Sequence, residues 1–203
     1  MDIKKYFLVF LTLIVAAIPV FAQSQNESAQ SREYKIKAAF LYNFLKFVDW
    51  PEDKENDNNN PILIGIIGKD IIADAFEPVK DKKVKNKNTV IKTFKSFEEL
   101  KKIKDEKSPE FQDTVDALRK CHLLFICSSE KNNLVEIIDL VKNNSVLTVG
   151  ETSGMLKTGG IINFLLEENK VRFEVNLVAA KQSKLTIRSQ LLRLAKQVIE
   201  EKS

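Results

Sequence analysis

His122 is the sole histidine of the 203-residue chain, so any imidazole base or imidazole metal ligand would have to be this residue. It sits in CHLLFIC (121–127), next to Cys121, at the start of a run of strand length. Neighbouring strand residues point to opposite faces. Cys121 and His122 are therefore poorly placed to ligate one ion, and nothing nearby supplies the missing nitrogen or sulfur ligands. A nucleophile–histidine–acid set would rest on His122 alone. No catalytic residue and no metal ligand is assigned, and His122 is expected as a satisfied core or interface side chain. Cys121 and Cys127 are the only cysteines. Six strand residues hold their Cα atoms about 20 Å apart, whereas a disulfide needs less than about 7 Å. Two buried free thiols, acting as small hydrophobes, are expected.

Gly65 and Gly68 frame GIIG ahead of a helical stretch. The three-glycine spacing of a dinucleotide-binding turn is missing, as is any Walker sequence. Tight packing of strand against helix is the plainer account, and no cofactor is expected. The most suggestive polar feature is Arg172, Glu174 and Asn176, which alternate with apolar residues. On one strand face these would stand about 6.6 Å apart and could line a pocket for a zwitterion or an anionic ligand. A solvated sheet face with a cross-strand pair to Asn163 explains them equally well. Arg188 is a fourth ligand-binding candidate, placed near the start of the last helix expected.

The elements that would position these residues follow from periodicity. A helix is expected over 32–50, ended by Pro51, with Lys35, Asn43, Lys46 and Asp49 confined to about 120° of arc. The rest of its circumference is apolar, so it belongs in the core or in the core and an interface together. Tyr34, Phe40, Phe44, Phe47 and Trp50 are the interface candidates. PILIGIIG (61–68) suits a strand buried on both faces, followed by a short helix capped by Asp70. A second strand is expected over 89–94, a helix opening at Ser96, and a charged surface excursion over 101–112. The segment 123–127 reads as a third strand, with a helix capped by Ser128 or Ser129 behind it. VLTV (146–149) is a fourth strand. The segments 161–166 and 171–177 should form an antiparallel hairpin, and 187–200 a closing amphipathic helix with Leu191, Leu194, Ala195 and Val198 on one stripe. This rhythm argues for one compact α/β domain. Its sheet would have about four mostly parallel strands flanked by helices, plus the hairpin and the closing helix.

Lys4 and Lys5 precede a charge-free apolar run over 6–20, and Val20-Phe21-Ala22 has the small residues of a cleavage site. The run is shorter than the roughly twenty residues of a membrane span. A cleaved signal peptide over 1–22, a disordered leader over 23–31 and a single domain over 32–203 are expected. The formal charge of +4, spread over 32 basic and 28 acidic residues, indicates solubility and not nucleic-acid binding. The lysines of KDKKVKNKNTVIK (80–92) are read as a solvated turn and strand edge.

EYKIKAAFLYNFLKFVDWP (33–51) resembles the opening helix of the YfiR family. The resemblance continues through CHLLFICSSE (121–130), LTVGE (147–151), GGIINF (159–164), VRFEVNLVAA (171–180) and LTIRSQLLRLA (185–195). It implies a compact α/β domain, often dimeric and without catalytic activity. It also implies a periplasmic location and a role restraining a membrane signalling protein that controls cyclic-di-GMP. The partner would be a diguanylate cyclase or a sensor kinase, with a homodimer and a small-molecule ligand left open. The family's better-known members carry further disulfide-forming cysteines, which this chain lacks, so redox control is not carried over. A periplasmic small-solute-binding protein, using the polar row as its pocket, is the alternative.

Overall fold

The computed structural model describes residues 28–51, 54, 60–69, 75–76, 82–103 and 108–200. The signal-peptide segment, most of the polar leader and Asp70 lie outside these residues. Helix α1 (Ala29–Phe47) opens slightly earlier than expected, because Ser28 accepts a hydrogen bond from the Ser31 amide at 3.0 Å. It ends at the two-residue strand β1 (Val48–Asp49), and Pro51 follows. The apolar run PILIGIIG becomes β2 (Ile62–Ile67). β3 (Lys83–Val84) and β4 (Lys87–Phe94) then form a hairpin across Lys85 and Asn86, both at positive φ. The basic stretch around them is thus a turn and a sheet edge.

Behind β4 come α2 (Phe97–Lys102) and α3 (Pro109–Lys120). The surface excursion expected over 101–112 is corrected here, since Lys101 and Lys102 close α2 and residues 109–112 open α3. Pro109 opens that helix, and Phe111, Val115 and Leu118 recur at helical spacing and are buried. β5 (Leu123–Ile126), a 3₁₀ turn (Ser128–Asn133), α4 (Leu134–Val141) and β6 (Leu147–Gly150) follow. The hairpin β7 (Ile162–Glu167) and β8 (Lys170–Asn176) turns on Glu168 and Asn169, both at positive φ. Two successive positive φ values match the twist of the flanking strands.

The expected closing helix over 187–200 is not formed. β8 instead leads into α5 (Leu177–Gln182), β9 (Thr186–Ile187), the single-turn α6 (Ser189–Leu192) and β10 (Gln197–Ile199). The physical reason is the edge of β8, whose unpaired main-chain groups are satisfied by β10 running parallel to it. Leu194, on the expected apolar stripe, is left 63% exposed. Leu177, expected in the second hairpin strand, starts α5.

The sheet is therefore eight-stranded and mixed, in the order β10-β8-β7-β6-β5-β2-β4-β3, and not a four-stranded parallel sheet beside a hairpin. β1 and β9 make a separate antiparallel pair. The expectation of one α/β domain holds; the strand count did not, because the hairpin joins the sheet and short strands extend both edges.

Each sheet face has its own core. Ile62, Ile64 and Ile66 of β2 pack with α1, Leu123, Phe125, Val149, Phe164 and Phe173 on one side. Ile67, Leu124 and Ile126 pack with α2, α3, α4 and Met155 on the other. α1 is apolar on most sides because Ile187, Leu191 and Val84 flank it in addition to the sheet beneath. Gly65 lies where a Cβ would come within 2.7 Å of Cys121 Sγ, so close packing explains it. Cys121 and Cys127 are both free and buried.

Candidate functional site

Period-two alternation sends Val171, Phe173 and Val175 of β8 into the α1-side core and turns Arg172 and Glu174 to the opposite face. Asn176 ends the row differently. It is buried, its Oδ1 accepts from the Ala179 amide at 3.0 Å, and its Nδ2 donates to the Leu156 carbonyl at 3.1 Å. It is thus the N-cap of α5. Arg172 lines a shallow depression at the hairpin turn with Glu167, Glu168 and Lys170. Glu174 stands in register opposite Asn163 and lines a separate groove of about 430 Å³ with Ser153, Lys157 and Gln197. The Asn163 carboxamide is buried in the wall of this groove, and its Oδ1 has no hydrogen-bond partner among the described residues.

Arg188 lines neither depression. It clasps Asp49 in a bidentate pair, Nε to Oδ2 at 2.8 Å and a terminal guanidinium nitrogen to Oδ1 at 2.7 Å. Lys85 donates to the same Oδ1 at 2.8 Å and to the Val48 carbonyl at 3.0 Å. The Arg188 hydrogen bond, followed by Lys85 and opposed by partial burial, holds the Asp49 carboxyl down at about 2. This clasp fastens β1 to β9 at the end of α1. The structure therefore brings Glu174 and Asn163 together, but distributes Arg172, Asn176 and Arg188 to three other tasks or places.

Of the five aromatic interface candidates, four on α1 and Trp50 just beyond β1, three are core. Phe44 is fully buried, with its ring 5.1 Å from Phe173 and 5.7 Å from Phe164. Trp50 is buried with its ring edge-on to His122 at 5.8 Å. Tyr34 donates from its hydroxyl to Glu151 Oε1 at 3.2 Å. Phe40 and Phe47 are half-buried, and Ile36, on the same helical stripe, is 42% exposed.

The sequence reading missed Glu151 as an individual residue. Its side chain is 5% exposed and accepts from Tyr34, from the Ser128 amide at 3.1 Å and from Lys37 Nζ at 2.5 Å. This seats the first half of α1 over the carboxyl ends of β5 and β6. Only its place in LTVGE marked it, since its partners come from distant segments. Ser153 and Gln197 were missed as groove residues, the latter because a helix was expected there. His122 accepts at Nδ1 from the Leu63 amide at 3.1 Å, so its ring is committed to the backbone.

A family model described as YfiR/HmsC-like (DUF4154) matches residues 34–196. A search of curated proteins returned no match. Among solved structures, a conserved domain protein from Vibrio cholerae O1 biovar eltor str. N16961 is similar at 10% identity and a TM-score of 0.54, covering 82% of this chain and 60% of the other. An ABC domain from Streptococcus pneumonia, solved in complex with L-Trp, is similar at 12% identity and a TM-score of 0.54, covering 80% of this chain and 60% of the other. At such identities the likeness is one of fold. The chain spans about 60% of the length of these solved chains.

Proposed function

Because the chain belongs to the YfiR/HmsC-like family of periplasmic, regulatory rather than catalytic proteins, we propose that it restrains a membrane-bound diguanylate cyclase and so lowers cyclic-di-GMP. The observation that carries this reading is the family match from α1 to the approach of β10. Among the described residues no helix is long and apolar enough to cross a membrane. Export would depend on the leader over 1–22, leaving the domain to meet the cyclase's periplasmic part. Regulation then works by differential affinity for two partner conformations. A preference of about 2.7 kcal/mol gives a hundredfold bias.

The half-open stripe of Ile36, Phe40 and Phe47 on α1 supports docking or self-association there. Phe44 and Trp50 serve the fold instead, so charge should be introduced at Ile36 or Phe47. The test adds the purified 23–203 chain to membranes containing a candidate cyclase and measures cyclic-di-GMP synthesis. Inhibition by the native chain, weakened in a folded Ile36→Asp or Phe47→Asp variant, supports the reading. Undiminished synthesis at saturating protein across the cyclases of the same bacterium removes it.

The groove of Glu174 and Asn163 supports a second reading, a small solute held on the C-terminal hairpin. Its buried carboxamide oxygen accepts no hydrogen bond from the described residues, and such groups are costly unless satisfied. A ligand at a hundred times its Kd would stabilise the fold by about 2.7 kcal/mol. Thermal-shift screening of small polar metabolites, with Glu174→Gln as control, separates this reading from the first.

A further inference from the structure

The groove of about 430 Å³ beside Glu174 has the size of a small-molecule site. Two surfaces meet in it. One is the loop that leaves the carboxyl end of β6, carrying Ser153, Leu156 and Lys157. That end of the parallel strands is where open α/β sheets hold their ligands. The other is the sheet face of β7, β8 and β10, where Asn163 pairs with Glu174 and Glu174 with Gln197. A carboxamide, a carboxylate and a second carboxamide thus form one row across three strands, about 4.8 Å apart. Leu165, two residues along β7, and Ile199, two along β10, give the row an apolar border.

The chemistry of the row selects what it can hold. Asn163 is buried, and its Oδ1 accepts no hydrogen bond from the described residues. The last torsion of an asparagine side chain is broad and two-fold, so the carboxamide can turn either its NH2 or its oxygen to the groove. Gln197 offers the same two ends. An ammonium only donates and an ionised carboxylate only accepts, whereas a hydroxyl does both. Glu174 adds acceptors, and Ser153 adds a hydroxyl of its own. Lys157 and Glu174 bring one charge of each sign, and the lining Glu151 carboxylate already holds Lys37. A neutral ligand leaves these charges matched.

From this row we infer that the groove binds a neutral polyhydroxylated ring, a sugar. Neighbouring hydroxyls share the Asn163–Glu174–Gln197 row, donating to its oxygens and accepting from its amide groups. The C–H face of the ring lies on Leu165, Ile199 and Leu156. Hydrogen bonds to the Glu174 carboxylate are charge-assisted and so the strongest of the set. The inference rests on the small-solute reading and names the ligand class of that same groove.

The purified 23–203 chain, which carries every described residue, is titrated by calorimetry and by ligand-observed NMR. The probes are glucose, galactose, ribose and N-acetylglucosamine and, separately, glycine, leucine and lysine. Saturable binding of at least one sugar, at one site per chain, is expected. Glu174→Gln should weaken it about tenfold and Gln197→Ala about threefold. Neither side chain is buried, so both variants should fold. Lys120→Gln, at the end of α3, should bind as the native chain does. Saturable binding of an amino acid and of no sugar overturns the inference but leaves the small-solute reading standing. Binding of no probe also overturns it, and takes that reading with it when the wider thermal-shift screen is blank. Sugar binding unaltered by Glu174→Gln and Gln197→Ala puts the sugar elsewhere and overturns the site.

Discussion

Replacing Lys37 by methionine keeps the length and most of the packing of the side chain but withdraws the ammonium that pairs with Glu151. The two side chains are 7% and 5% exposed, so water cannot take the place of the lost ammonium. Breaking a buried ion pair from one side costs about 3–5 kcal/mol, because the remaining charge is left uncompensated. Glu151 keeps two neutral donors, Tyr34 and the Ser128 amide, which sets the expectation at the lower end, about 3 kcal/mol. Glu151→Gln is milder, about 1–2 kcal/mol, because Lys37 retains Glu33 as a second partner. Lys37→Met combined with Glu151→Leu removes both charges and should recover part of the loss. Urea unfolding followed through Trp50 measures these proteins together with the Glu151→Leu single variant, which completes the double-mutant cycle that isolates the coupling. Since a domain of this kind holds only about 5–15 kcal/mol in total, the single change should shift the midpoint visibly. A loss below about 1 kcal/mol for Lys37→Met, with no coupling to Glu151, would refute the view that this pair seats α1.

The other expectations concern the clasp, the thiols and the glycine under α3. Asp49 has a folded pKa of about 2, below its ordinary 3.8, so its stabilisation is complete above pH 3.8 and fades as pH falls toward 2. With Asp49 32% and Arg188 47% exposed, screening reduces this to about 1 kcal/mol. Asp49→Asn should therefore be less stable near pH 7, with the gap closing in acid; a gap independent of pH in urea titrations would contradict it. The Cys121 thiol is pushed up to about 12 by burial, and Cys127 is buried as well, so neither should react with a thiol reagent at pH 8 in the folded state. Labelling should follow the unfolding rate in mild denaturant, and rapid native labelling would place a thiol at the surface. Gly65→Ala should cost about 1–3 kcal/mol by overpacking, because its Cβ would meet Cys121 Sγ at 2.7 Å and Leu124 and Phe94 at 3.0 Å; a neutral melting temperature would argue against so tight a contact.

What could be read from the residues alone was whatever local pattern decides. The apolar circumference of α1, the continuous run of β2 and the alternation of β8 each carry their burial in their spacing. The blocks from EYKIKAAF to LTIRSQLL carry the family, and with it the regulatory role. α3 escaped because three apolar residues among charges make a weak signal until a sheet face exists for them to cover. The expected closing helix failed for the opposite reason: its stripe of Leu191, Leu194, Ala195 and Val198 has helical period, but the open edge of β8 offered main-chain hydrogen bonds that outweighed it. The candidate sites were least legible. Asp49 and Arg188 are 139 residues apart, and Tyr34 and Glu151 are 117 apart. Periodicity acts over a few residues and so determines elements; which charges face one another is decided only when the sheet order brings distant segments into contact.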